Sequence, residues 1–134
     1  MVNYLAVVVA AVVSMVVGGL WYSPVLFGNM WMKLSGIDKK KMKQLQKKAV
    51  RGYVLMFVSS FVMAFVLAEF VRVGNIGTFA DGAKLAGWIW LGFLAPLTFG
   101  PFMWEGKPLK LCVLNAAYWL VTLPLMAGVL AVWP

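Results

Sequence analysis

The side chains that could run acid–base chemistry are few. Asp38, Glu69, Asp81 and Glu105 supply all the carboxylates, Cys112 is the one thiol, and there is no histidine. A chain without histidine lacks the side chain that ordinarily titrates near neutrality, and it can build neither a Ser-His or Cys-His nucleophile nor the common haem and zinc ligand sets. A single thiol allows neither a disulfide framework nor a Cys-x-x-Cys redox pair. The acid–base material that remains is Glu105 beside Tyr22, Tyr118 or Lys107, a thin basis for an enzyme acting on a lipid or a quinone. The sequence reads as non-enzymatic, with no catalytic residue, cofactor or metal site expected.

Hydrogen-bonding chemistry is better represented. Trp21, Tyr22, Ser23, Pro24, Phe27, Gly28 and Trp31 put two aromatic donors, a hydroxyl and a proline at the end of the first apolar run. A proline in a helix removes one donor and frees the carbonyl four residues earlier. Pro24 would free the carbonyl of Leu20, and Pro96 that of Gly92. In hydrocarbon each freed carbonyl needs a partner. Ser23, Trp21 and Trp90 are nearby donors, so internally satisfied kinks are expected rather than ligand sites. Asn115, an amide in the fourth apolar run, is expected to bond across to a neighbouring helix. These residues, with Glu105, form the candidate functional cluster.

The elements that position them are membrane spans. The 134 residues are 63% apolar and only 12% charged, whereas soluble domains carry about 25% charged residues. Such a chain has too little charge to cover a surface in water, so lipid must cover it. Uncharged runs long enough to cross about 30 Å of hydrocarbon place spans at about 4–28, 52–72, 84–104 and 110–133 in one transmembrane domain, residues 1–134. The first run has no Lys or Arg before it and bulky Trp21-Tyr22 where a cleavage site needs small residues, so it reads as a retained helix rather than a signal peptide. Ala6, Ala10, Ser14 and Gly18, and again Ser60, Ala64 and Ala68, recur every fourth residue and predict close helix packing. Glu69 and Arg72 share a helical face and predict an ion pair at the membrane rim. Thr78, with Asp81 three residues on, predicts a helix cap.

Residues 29–51 form a basic loop. Asp38 predicts the cap of a short helix with Met42, Leu45 and Ala49 on one face, and with Lys39, Lys40, Lys41, Lys43, Lys47 and Lys48 around the rest. A helix of this kind would lie at the headgroup surface, its lysines toward anionic lipid. The formal net charge of +8 does not point to nucleic acid, because no aromatic residue for base stacking is interleaved with these lysines. Of the 12 Lys and Arg, all but Arg72 and Lys84 fall in the connections after the first and third runs. The positive-inside rule then places those connections in the cytoplasm and both termini outside it, in a multi-pass protein of the cell membrane.

Pro24-Val25-Leu26-Phe27-Gly28 is answered by Pro96-Leu97-Thr98-Phe99-Gly100, each followed by a Trp and then a Lys. A tandem duplication of a two-helix hairpin would leave this pattern, with a twofold axis along the membrane normal. The stretch Gly19-Leu20-Trp21-Tyr22-Ser23-Pro24-Val25-Leu26-Phe27-Gly28, followed by Trp31-Met32, resembles the signature of a family called domain of unknown function 1761. The later Trp90-Leu91-Gly92-Phe93, the Glu105-Gly106 turn and the Gly128 to Trp133 ending extend the likeness. Members of that family are small, mostly bacterial membrane proteins with four predicted spans. The resemblance implies that architecture and carries no activity, substrate or catalytic residue.

The expected fold is therefore an all-α four-transmembrane-helix bundle with a short basic interfacial helix. The expected function is association in the membrane, as an accessory subunit or a lipid-associated structural protein, in a homo-oligomer or a larger complex. The alternative is a small oligomeric channel or carrier lined by Ser14, Ser59, Ser60, Asn115, Tyr118 and Thr122. The charged residues near the spans sit only at their ends, and the uncharged runs between hold none, which favours the first; small multidrug carriers rely on a glutamate in the first helix that this chain lacks. The orientation has a direct check in a bacterial host. Alkaline phosphatase fused after Trp133 should be active, and the same enzyme inserted between Lys43 and Gln44 inactive; the opposite pattern would reverse the topology.

Overall fold

The computed structural model describes residues 3–133, the side chain of Lys39 excepted. Four helical segments are long and apolar enough to cross a membrane: Tyr4–Trp21, Ala49–Val73, Phe79–Trp104 and Leu109–Val132. The first is α1 (Tyr4–Trp21), capped by Asn3, whose side-chain oxygen accepts from the Leu5 and Ala6 amides. It stops seven residues short of the span read from the sequence, because the chain leaves the helix before Pro24 instead of kinking through it. Two short helices follow, α2 (Gly28–Ser35) and α3 (Lys39–Lys47). Gly36, at φ +72°, ends α2, and the Asp38 carboxylate accepts the Lys41 amide at 2.7 Å to begin α3, as its spacing predicts.

The second span, α4 (Ala49–Val73), has 25 residues and so reaches about 37 Å, longer than the hydrocarbon. Its surplus carries Arg51 at one end and the Glu69–Arg72 pair at the other. Both Arg72 Nε and Nη2 donate to Glu69 Oε2, at 3.1 and 2.6 Å. The pair is exposed, and such pairs contribute at most about 1 kcal/mol. The third span is composite. It begins as α5 (Phe79–Ile89), with the Thr78 hydroxyl accepting the Asp81 amide. A π-helical turn, Trp90–Leu94, follows, in which the Ala95 amide reaches back to the Trp90 carbonyl. The widened turn comes immediately before Pro96, so the helix resumes as α6 (Ala95–Thr98) with the proline in its first turn, where a missing donor is harmless. A further break at Phe99 gives α7 (Gly100–Trp104). The fourth span is α8 (Leu109–Val132), with Pro124 inside it.

α8 is the centre of the bundle. It packs against α1, α4 and α5, and its buried face includes Leu123, Met126 and Ala127. The small-residue stripes behave as predicted. Ala6, Ala10 and Ser14 on α1, and Ser60, Ala64 and Ala68 on α4, are all buried, and the two helices meet where Ser14 Oγ and Ser60 Oγ lie 3.4 Å apart. α5 comes equally close to α8. A Cβ added at Gly82 would sit 2.8 Å from the Ala127 carbonyl oxygen, and one at Gly128 would run into the Phe79 ring.

The packing lacks the symmetry that the repeated Pro-x-x-Phe-Gly pattern suggests. In both copies the glycine opens a short helix, α2 at Gly28 and α7 at Gly100. A twofold relating the α1–α4 hairpin to the α5–α8 hairpin would, however, match the α1–α8 interface with one between α5 and α4. Among the described residues α4 and α5 scarcely touch. Between α4 and the third span lies an open apolar groove of about 390 Å³, walled by Val62 and Val66 of α4 and by Phe93 and Leu94 of the π-helical turn, with Ser59 of α4 and Leu123 of α8 also lining it.

The Gly82 contact is testable. Gly82→Val should cost about 1–3 kcal/mol, the range for overpacking, read as a lower unfolding midpoint in detergent. Gly87→Ala, where no atom lies within 4 Å of the new methyl, should be neutral or stabilising by up to about 1 kcal/mol. Equal losses in both would show that α5 does not depend on close approach.

Candidate functional site: a hydrogen-bonded aromatic cluster at one end of the bundle

The cluster is built on the way α1 ends. The Ser23 hydroxyl donates to the Leu20 carbonyl at 2.7 Å, and the Ser23 amide reaches the same oxygen at 3.2 Å. The carbonyl that Pro24 cannot serve is thus satisfied within the turn, as the sequence predicts. The Tyr22 amide bonds to the Gly18 carbonyl and the Phe27 amide to the Trp21 carbonyl, while the Leu26 and Gly28 amides both take the Ser23 carbonyl. This folded-back turn leaves no room at its closing residue. A Cβ at Gly28 would lie 2.5 Å from the Tyr22 carbonyl oxygen and 2.6–2.7 Å from the Ser23 carbonyl group. Glycine is required there by contact, with no unusual φ. Gly100, its counterpart in the second copy, has open space around it.

The turn brings its aromatic rings together over α8. Trp21 packs against Phe27 with ring centroids 4.7 Å apart, and Tyr22 meets Trp31 of α2 edge-on at 5.8 Å. Both Trp21 and Tyr22 also approach Tyr118 of α8, at 6.3 and 5.5 Å, and Tyr118 in turn packs on Trp119. Tyr22 Oη donates to Asn115 Oδ1 at 2.7 Å, the cross-helix bond expected of that amide. Tyr118 Oη donates to the Ser14 carbonyl at 2.8 Å, lies 3.4 Å from Ser14 Oγ, and would be 3.0 Å from a Cβ at Gly18. The small-residue stripe of α1 thus supplies the gap that the tyrosine fills. On α8, Asn115, Tyr118 and Thr122 fall on one face. Thr122 Oγ1 and Trp21 Nε1 are buried without a hydrogen-bond partner.

Of the residues singled out from sequence, Trp21, Tyr22, Phe27, Trp31 and Asn115 converge, with Ser23 and Gly28 shaping the turn that gathers them. Pro24 is exposed and acts by ending α1. Glu105 stands apart: it is exposed after α7, and among the described residues no hydrogen bond or ion pair joins its side chain to the cluster. Tyr118, read from sequence as a lining residue of the channel alternative or as acid–base material beside Glu105, is the hub. The signal for it was present in Gly18, the stripe member with space beside it for a large partner, and in the i, i+3 spacing of Asn115 and Tyr118. Of the other lining candidates, Ser14, Ser60 and Thr122 are buried, while Ser59 faces the open groove. The third span is tied in by one further bond, from Trp90 Nε1 to the Ala116 carbonyl at 2.8 Å.

Chemically, the cluster consists of neutral donors and acceptors that largely satisfy one another. It can lock α1, α2 and α8 together, and it holds no nucleophile–base pair. A double-mutant cycle measures the lock. Tyr22→Phe and Asn115→Leu should each destabilise the protein, with a coupling of about 0.6–1.7 kcal/mol, the range for hydrogen bonds between membrane helices. Additive losses would mean that the bond contributes nothing. Gly28→Ala should cost about 1–3 kcal/mol through the backbone contact it creates.

No curated protein and no solved structure matches the chain. One family profile does, over residues 5–131, a stretch that holds all but the extreme ends of the four spans together with the whole aromatic turn. The chain therefore belongs to the family described as Protein of unknown function (DUF1761).

Proposed function

We propose that this protein works by association within the membrane, as a non-enzymatic accessory subunit or lipid-associated structural protein. One observation carries the reading: among the described residues the third span packs chiefly on α8, leaving the groove between it and α4 open. Membrane helices associate through van der Waals packing and interhelical hydrogen bonds. A groove walled by Val62, Val66, Phe93 and Leu94 offers such packing to a transmembrane helix of a partner. Trp88, Leu91, Phe93 and Leu97 continue the exposed apolar surface along the third span.

The alternative, a small oligomeric channel or carrier, draws support from the alignment of Ser14, Ser60, Tyr118 and Thr122 in the interior. Three of these four hydroxyls lie within 3.4 Å of one another in pairs, and a path for a solute would have to break those contacts. Ionisable side chains within spans are the usual mark of such a path, and the uncharged runs of this chain hold none.

Native mass spectrometry of the protein, extracted mildly from its own membrane, tests the proposal. The expected result is a complex of more than one polypeptide that is lost or weakened in Val66→Trp, which fills the groove. A monomer carrying only lipid would overturn association with a protein partner. A homo-oligomer that passes small solutes in liposomes would favour the channel or carrier.

A further inference from the structure

The strongest charge on the molecule is on α3 and the start of α4, and among the described residues no carboxylate forms an ion pair with it. Lys40, Lys41, Lys43, Lys47, Lys48 and Arg51 are exposed. The nearby carboxylate, Asp38, accepts the Lys41 amide as the helix cap. Among the described residues the only ion pair is Glu69–Arg72, on α4 beyond its apolar stretch. At 100° per residue, Met42 and Leu45 fall on one narrow face of α3, with lysines on both flanks. Ala49, which its spacing predicts on the same face, lies past the break at Lys48 and opens α4. Met42 and Ala49 are half-buried, whereas Leu45 is left exposed.

The segment is held close to the membrane at both ends. Lys48 alone separates α3 from α4, a transmembrane helix. At the other end, α2 is fixed to the bundle through Trp31 against Tyr22, itself bonded to Asn115 of α8. Two fixed ends and a nine-residue helix leave α3 within reach of the headgroups. Its apolar edge would enter the interface, and its lysine stems would lie along the surface with their ammonium groups among the phosphates.

We infer that α3 is an anionic-lipid binding element, with Lys40, Lys41, Lys43, Lys47 and Lys48 as the headgroup contacts. The partner is a phospholipid surface carrying net negative charge. The same cations would attract nucleic acid, but single strands are gripped by aromatic stacking as well as charge, and no aromatic side chain lies on α3. The inference does not depend on what fills the groove between α4 and the third span; lipid selectivity could be lost while the complex persists, and the reverse.

The test uses the full-length protein in nanodiscs containing equal amounts of phosphatidylglycerol and phosphatidylcholine, with the lipids retained after release counted by native mass spectrometry. The wild type should retain phosphatidylglycerol preferentially. That preference should weaken as salt rises from 0.05 to 0.5 M, because surface charges are screened over about 10 Å at 0.1 M. Replacing the five lysines with Gln should reduce the preference by about tenfold or more, because each lysine near an anionic surface adds to the attraction. Replacing the same five with Arg should preserve it, which separates charge from folding. No preference in the wild type, or a preference that survives the Gln substitutions, would overturn the inference. So would salt-sensitive binding of single-stranded RNA by the nanodisc-held protein in place of lipid selectivity.

Discussion

Close approach of helix backbones is the constraint on which the rest of this structure depends. In lipid there is no hydrophobic gain in burying one apolar side chain against another, so helices hold together through dispersion and hydrogen bonds at short range. Both fall off quickly with distance. The bundle achieves short range by omitting side chains: alanines and serines where α1 meets α4, and bare glycines where α5 meets α8. α8 can therefore be central without being bulky. Its larger residues, Leu123 and Met126, are buried in one cluster with Ala6, Ala10, Ala64 and Ala86 of its neighbours.

Against that background the polar groups have a particular role. Dispersion is weakly directional, and a helix packed by small residues can rotate or slide at little cost. The bonds from Tyr22 to Asn115, from Tyr118 to Ser14 and from Trp90 to Ala116 join α8 to α1 and to the third span at defined positions. Each is modest in energy, but each penalises a shift in register by leaving a polar group unmatched in hydrocarbon. Packing sets the distance between helices, and the hydrogen bonds set their register.

Much of this was legible in the sequence because it rests on local rules. The caps at Asp38 and Thr78, the Glu69–Arg72 pair and both small-residue stripes depend on spacing within one helix, and spacing can be read directly. The self-satisfied turn at Ser23 also follows from residues that are adjacent in the chain. The end of α1 at Trp21 was less accessible, since an uncharged run continues to Gly28 and hydropathy does not separate a helix from an apolar turn. The π-helical turn ahead of Pro96 was hidden for a related reason: a proline announces a missing donor but not how the backbone will accommodate it. Tyr118 as hub, the exposure of Glu105 and the groove beside α4 depend on which helices become neighbours, and that is decided by the whole bundle at once.

The π-helical turn at Trp90–Leu94 divides the third span into halves with unequal attachment. The α5 half is seated on α8 through Gly82 and Gly128. Beyond the turn, Leu97, Phe102, Met103 and Trp104 are largely uncovered, and the indole bond to Ala116 sits at the boundary. The second half is therefore a link pinned at both ends, by the indole bond at Trp90 and by the Glu105–Gly106 turn that leads into α8, with α6 and α7 only lightly seated on α8 between them. Any flexing of that link would move Phe93 and Leu94, which wall the groove beside α4. The width of the groove is thus tied to the shape of the π-helical turn.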